Sequence, residues 1–196
     1  MAGKALRLVD AGYDVPKPLV SVLGKTIVQW SIETLGLKGN YIFCCKQEHI
    51  EKYNIDKILK GLIVDSEVIS IDYQTRGTLE SVLEARNKIN NDEELIISDT
   101  DHCLIWDSTN FDKNIRCKDI DACVMVFPKP TYSKAASYVK LNKDGYVIKS
   151  AEKIPISTTA TVGLHYFKRG SDFVKYADKM IEQNISYKKE FYVTPI

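Results

Sequence analysis

Three short apolar runs, over residues 41–45, 68–71 and 95–97, the second interrupted only by Ser70, are separated by stretches whose apolar residues recur at helical spacing, and no other feature restricts the fold so much. A run apolar on both faces fits a strand covered on both sides, as parallel strands joined by crossover helices are. Ile27, Val28, Ser31, Ile32 and Leu35 mark a helix ahead of the first run. A polar helix from about 48 to 61 lies between the first and second runs, and a helix from Thr78 carrying Leu79, Val82, Leu83 and Ile89 between the second and third. Such alternation predicts a mostly parallel sheet with helices on its faces. From Ala122 the texture changes to closely spaced strands over 124–127, 138–141 and 146–149. The last two are joined across Asn142-Lys143-Asp144-Gly145, a hairpin signal. A strand over 160–167 then leads into a helix whose Phe173, Val174, Ala177, Met180 and Ile181 share one face.

At 196 residues the chain fits one ordinary domain, and no repeat, low-complexity segment or linker divides it, so a single domain over 1–196 is expected. Lys and Arg number 27 against 26 Asp and Glu; this balance gives no electrostatic reason to expect nucleic acid or an acidic membrane as partner, and favours a small molecule. Five cysteines without CxxC spacing, two of them inside the first apolar run, read as reduced core thiols of a cytosolic protein. No secretory pattern opens the chain and no run approaches the roughly 18 apolar residues that span a bilayer, so a soluble, cytoplasmic protein is expected.

The stretch richest in chemistry is Met1-Ala2-Gly3-Lys4-Ala5-Leu6-Arg7, followed by Ala11-Gly12-Tyr13-Asp14-Val15-Pro16-Lys17-Pro18-Leu19. A glycine-containing loop ahead of a fixed lysine is one way to gather backbone amides and a cation around a triphosphate. Prolines on both sides of Lys17 stiffen its segment. The plainer reading is a surface turn with Arg7 as a solvated side chain. Asp99-Thr100-Asp101 follows the third apolar run, where open α/β sheets place ligand chemistry at the carboxyl ends of strands. Carboxylates there suit Mg²⁺, although an Asp-rich turn closing a strand would look the same.

Taken together, the opening loop resembles the signature of the sugar nucleotidyltransferases, the nucleoside-diphosphate-sugar pyrophosphorylases: Gly-x-Gly-x-Arg, a spacer, then Pro-Lys-Pro-Leu. Gly24-Lys25, Gln74-Thr75-Arg76-Gly77-Thr78, Asp99-Thr100-Asp101, Glu152-Lys153, Gly163 with Tyr166-Phe167, and Glu190-Phe191-Tyr192 follow in that family's order. The resemblance implies a Rossmann-like, three-layer α/β nucleotidyltransferase fold with a central mixed, mostly parallel sheet. It implies Arg7 and Lys17 as catalytic residues on the triphosphate and the reacting α-phosphate. Ala2, Gly3, Gln74, Gly77 and Thr78 would contact the nucleotide; Gln74 offers a donor and an acceptor to a base edge, and the alternative is that Thr78 merely caps a helix. Glu152, Lys153 and Gly163 would meet the acceptor, where the alternative for the first two is an exposed charged pair. Asp101 would hold Mg²⁺, with Asp99 beside it.

The implied reaction moves a nucleoside monophosphate from a nucleoside triphosphate onto a phosphorylated small molecule, a sugar 1-phosphate destined for nucleotide-sugar and polysaccharide synthesis, and releases pyrophosphate. The triphosphate and the acceptor are the expected partners, with a second copy of the chain as a further candidate. Two departures stand out: Ala5 and Leu6 replace Gly and Ser or Thr, and an added methyl obstructs backbone approach to phosphate. They keep two other readings open, a non-catalytic nucleotide-binding relative and transfer to a non-sugar phosphate such as choline phosphate. A nicotinamide-binding Rossmann domain fits poorly, since the loop lacks Gly-x-Gly-x-x-Gly. Relatives also begin with an apolar strand and continue past Tyr192 to a second acidic ligand, so residues 1–196 are expected to lack the family's first strand and C-terminal segment.

Overall fold

In this computed structural model the structure describes residues 12–117, 120–129, 133 and 136–196. The described parts of Met1–Ala85 and Thr100–Lys118 form one compact unit, and those of Arg86–Asp99 and Asp119–Ile196 a second.

The first unit opens with a 3-10 turn, Lys17–Leu19, and a small hairpin of β1 (Ser21–Val22) and β2 (Lys25–Thr26). Thr26 caps α1 (Ile27–Leu35), its hydroxyl accepting the Gln29 N–H at 3.3 Å. β3 (Ile42–Lys46) pairs in parallel with β4 (Glu67–Ile71), Phe43 opposite Val68 and Cys45 opposite Ser70. The period-two pattern of β3 sends Phe43 and Cys45 into a core with Val28, Ile55 and Leu59. The single polar helix expected over 48–61 is two, α2 (Gln47–Tyr53) and α3 (Ile55–Leu62). Between them Asn54 is left-handed at φ 51°, a conformation asparagine tolerates, and its N–H donates to the Ile50 carbonyl at 3.0 Å. α4 (Thr78–Leu83) and α6 (Ser108–Cys117) complete this unit.

The second unit contains α5 (Arg86–Ile89), so the helix expected from Thr78 to Ile89 is also divided. Its five-stranded sheet is built around β9 (Thr159–Phe167), which pairs antiparallel with β5 (Leu95–Ser98), β6 (Ala122–Pro128) and β7 (Tyr138–Leu141). β8 (Val147–Ala151) pairs with β7 across the hairpin, where the Asn142 carboxamide oxygen accepts the N–H groups of Asp144 at 3.0 Å and Tyr146 at 2.8 Å. α7 (Gly170–Glu182) buries Phe173, Val174, Ala177 and Met180.

The mixed α/β class is therefore as expected, with parallel and antiparallel strands. Among the described residues, however, only β3 and β4 run parallel, because an apolar run reports burial on both faces and not the direction of its neighbour. Of the thiols, Cys45 is buried, which pushes its pKa up to about 12, while Cys103 is exposed and is not a core thiol. No described helix is long and apolar enough to cross a membrane.

Candidate active site

Lys17 is the first residue of the 3-10 turn, with Pro16 as its cap at φ −62°, ψ 148°, and Pro18 buried behind it. The Leu19 N–H donates to the Pro16 carbonyl at 2.8 Å, so the segment is pinned at both ends. The Lys17 ammonium makes an ion pair with the Asp101 carboxylate. Across the same carboxylate, His102 Nδ1 lies 3.3 Å from the other oxygen. Ala2, Gly3, Ala5, Leu6 and Arg7 lie outside the described residues.

In the 74–78 loop the Gln74 amide has a partner at each end. Its oxygen accepts from the Lys46 ammonium at 3.2 Å and its NH₂ donates to the Thr75 carbonyl at 3.1 Å. Thr75 is buried, its hydroxyl 2.7 Å from that of Ser81. Gly77, at φ 116°, is the cap residue of α4, and Thr78 is the first helical residue, so its hydroxyl does not cap the helix. Glu80 instead accepts from the Arg76 N–H and guanidinium. Lys46 was not singled out from the sequence; a lone lysine closing a strand gives no signal there.

In the second unit Glu152 and Lys153 follow β8, and Glu152 is buried, not exposed, with the Ser137 hydroxyl donating to its carboxylate. Lys153 is left-handed at φ 54°. Its ammonium stands 3.6 Å from Glu152 Oε1 and 4.2 Å from the centre of the Tyr192 ring, and donates to the Tyr192 hydroxyl. That phenol donates to Glu190. Burial first, and the Glu190 carboxylate second, push the Tyr192 pKa up, so the phenol stays protonated. Asp99, just past β5, donates its N–H to the Gly163 carbonyl at 2.9 Å. Gly163 is at φ 75°, and a Cβ there would land on the Asp99 carboxylate, so this glycine is set by both conformation and close approach. Glu190 and Tyr192 were legible only as a motif without a role, and Tyr187 gave no signal.

The first unit thus holds a proline-flanked lysine paired with an aspartate and a glycine-led loop, and the second a buried glutamate beside Lys153; residues 1–192 match the family described as Nucleotidyl transferase. The chain belongs to the nucleotidyl transferase family and is a nucleotidyltransferase. It is similar in fold to a nucleoside-diphosphate-sugar pyrophosphorylase from Vibrio cholerae RC9, with TM-score 0.80 and 20% identity over 100% of this chain and 83% of that one. A putative glucose-1-phosphate thymidylyltransferase from Bacillus anthracis gives TM-score 0.74 and 12% identity over 98% and 76% of the two chains. An inositol-1-phosphate CTP transferase from T. maritima gives 0.70 and 17% over 88% and 69%. No curated protein matches. Nucleotidyltransferases of this family generally use divalent metal ions.

Proposed function

We propose that the protein transfers a nucleoside monophosphate from a nucleoside triphosphate to a phosphorylated small molecule, a sugar 1-phosphate in the first instance, with release of pyrophosphate. The observation that supports this most is the Lys17–Asp101 ion pair: a cation and a carboxylate with opposite parts to play toward a metal triphosphate are held together on a proline-stiffened turn. The carboxylate oxygens of Asp101 and, two residues before it, Asp99 suit a hard divalent cation, and Mg²⁺ is the ion they would hold. When bound, the ion neutralises phosphate charge and orients the triphosphate.

Everything else falls to the chain's own groups. The Lys17 ammonium, leaving Asp101 to the metal, faces the α-phosphate and stabilises the charge that gathers there. Arg7 is assigned with Lys17 to the triphosphate, and Ala2 and Gly3 to the nucleotide. Gln74, Gly77 and Thr78 border the base. Lys153 meets the acceptor's phosphate, and Glu152 and Gly163 border the rest of the acceptor. An acceptor phosphate oxygen bonds to the α-phosphorus as the bond from that phosphorus to the bridging oxygen breaks, and the pyrophosphate carries away the electron pair. No general base is needed, since the attacking oxygen is already anionic.

Because one fold relative is named for inositol 1-phosphate, the acceptor panel should hold sugar 1-phosphates, inositol 1-phosphate and choline phosphate. The test is pyrophosphate release with each nucleoside triphosphate, Mg²⁺ and each acceptor. Turnover with one pairing is expected; binding of a triphosphate without pyrophosphate release from any pairing would defeat the proposal.

A further inference from the structure

We propose that Tyr192, seated on Glu190, is a positioning residue that presets the Lys153 ammonium for the acceptor's phosphate; this rests on the reading of Lys153 given above. A lysine side chain has four rotatable bonds, and fixing them only when the acceptor arrives would weaken binding. Here they are fixed beforehand. The backbone of Lys153 is left-handed at φ 54°, which aims the side chain, and its ammonium lies over the Tyr192 ring at 4.2 Å and near the Tyr187 ring at 5.8 Å. The Tyr192 phenol donates a hydrogen bond to Glu190 and so offers its lone pairs to the ammonium.

The order of the relay matters. A carboxylate in direct contact would cancel the charge that a phosphate needs, whereas a neutral phenol orients the ammonium and leaves its charge available. Glu152 Oε1, 3.6 Å away, offsets part of that charge without a hydrogen bond to the ammonium, while its Oε2 accepts from the Ser137 hydroxyl. The segment carrying the relay is also braced. Tyr187 and Glu190 exchange backbone hydrogen bonds of 2.9 and 3.0 Å across Lys188 and Lys189, both left-handed at φ 52° and 66°. Two lysines in a turn that favours Asn-Gly are a conformational cost, offset in part by the Lys188 ammonium over the Tyr187 ring at 5.7 Å, and such a cost is the pattern expected where geometry is held for function. Glu152, Tyr187, Glu190 and Tyr192 also border a cleft of about 220 Å³.

The experiment uses the full chain and three variants, Tyr192→Phe, Glu190→Gln and Lys153→Met. Limiting acetic anhydride followed by peptide mass spectrometry reads the labelling rate of Lys153 against that of Lys143, exposed on the hairpin. Tyr192→Phe keeps the ring and removes one oxygen; it should raise that ratio roughly 10-fold, the scale of losing one hydrogen bond to a charged group, and Glu190→Gln should raise it by less. With the best acceptor of the panel, Tyr192→Phe should raise the acceptor's KM by a similar factor while kcat and the triphosphate's KM hold, a split that general loosening would not give. An unchanged Lys153 ratio in both Tyr192→Phe and Glu190→Gln would overturn the positioning role, whatever the kinetics. If Lys153→Met left the acceptor's KM unchanged, the assignment of Lys153 to the acceptor would fall instead.

Discussion

Lys17 and Asp101 are the two residues whose roles the sequence came nearest to stating, and their ion pair ties two predictions together. If Asp101 holds the metal as proposed, the ammonium and the ion compete for one carboxylate. Lys17→Ala should therefore tighten binding of Mn²⁺ alone, read by water proton relaxation, yet lower kcat by roughly 10² to 10³ because a preorganised charge contact at the α-phosphate is gone. Asp101→Asn should weaken Mn²⁺ binding and cut turnover by orders of magnitude with little change in thermal midpoint, since the shape is kept. Should Lys17→Ala weaken the metal as much as Asp101→Asn does, the two would be acting as one structural unit. The sequence exposed this pair because prolines flank the lysine and the aspartate ends an apolar run. It could not reveal that the two are joined, since nothing local links positions 84 residues apart.

Elements were legible in proportion to their apolar content. β3 and β9 were read nearly to their ends because burial alternates along the first and runs almost continuously along the second, and β4 because Val68, Ile69 and Ile71 lie close together. α6 was missed: Phe111 and Ile115 are its only large apolar residues, and what starts it is the Asp107 carboxylate accepting N–H groups from Thr109 at 3.0 Å and Asn110 at 3.1 Å. That cap was visible in the sequence but drew no attention without an apolar stripe beside it. The breaks at Asn54 and after Leu83 were hidden because periodicity continues across them. On the element scale, Gly163 allows a clean comparison with Gly145: both have positive φ, 75° and 87°, but only Gly163 faces Asp99, while nothing lies near the place of a Cβ on Gly145. Gly145→Ala should cost about 1 kcal/mol, for its backbone alone. Gly163→Ala should cost roughly 2 to 4 kcal/mol, because the Asp99 carboxylate must also move. Urea denaturation of the two variants decides it, and equal losses would mean that Asp99 yields without cost.

Across the whole molecule, stability should depend on pH in two separate windows. His165 lies in the middle of β9, opposite Ile97 of β5 and Val124 of β6, and burial lowers its pKa from 6.5 to about 4. Its Nε2 is 3.3 Å from the Thr194 hydroxyl, and its Nδ1 has no partner among the described residues. The folded chain thus keeps this ring neutral at a pH where the unfolded chain would protonate it. Between pH 6.5 and 4 the unfolded state binds the extra proton, so stability is complete above 6.5 and falls as the pH drops, by roughly 3 kcal/mol over the window. Carboxylates act lower down. Arg86 holds Asp178 below the ordinary carboxylate range, and the Thr109 hydroxyl and Asn110 N–H do the same for exposed Asp107, so their contribution is lost only below the usual carboxylate pKa. In the His165→Gln variant His49, whose pKa burial also lowers, is left to act in the upper window. Urea midpoints from pH 7 to 3 should therefore slope downward toward acid for the natural chain and more shallowly for His165→Gln, with the two curves steepening together below pH 4. Parallel slopes above pH 4.5 would assign the acid sensitivity to other groups and leave His165 as a ring that the sheet accommodates in either charge state.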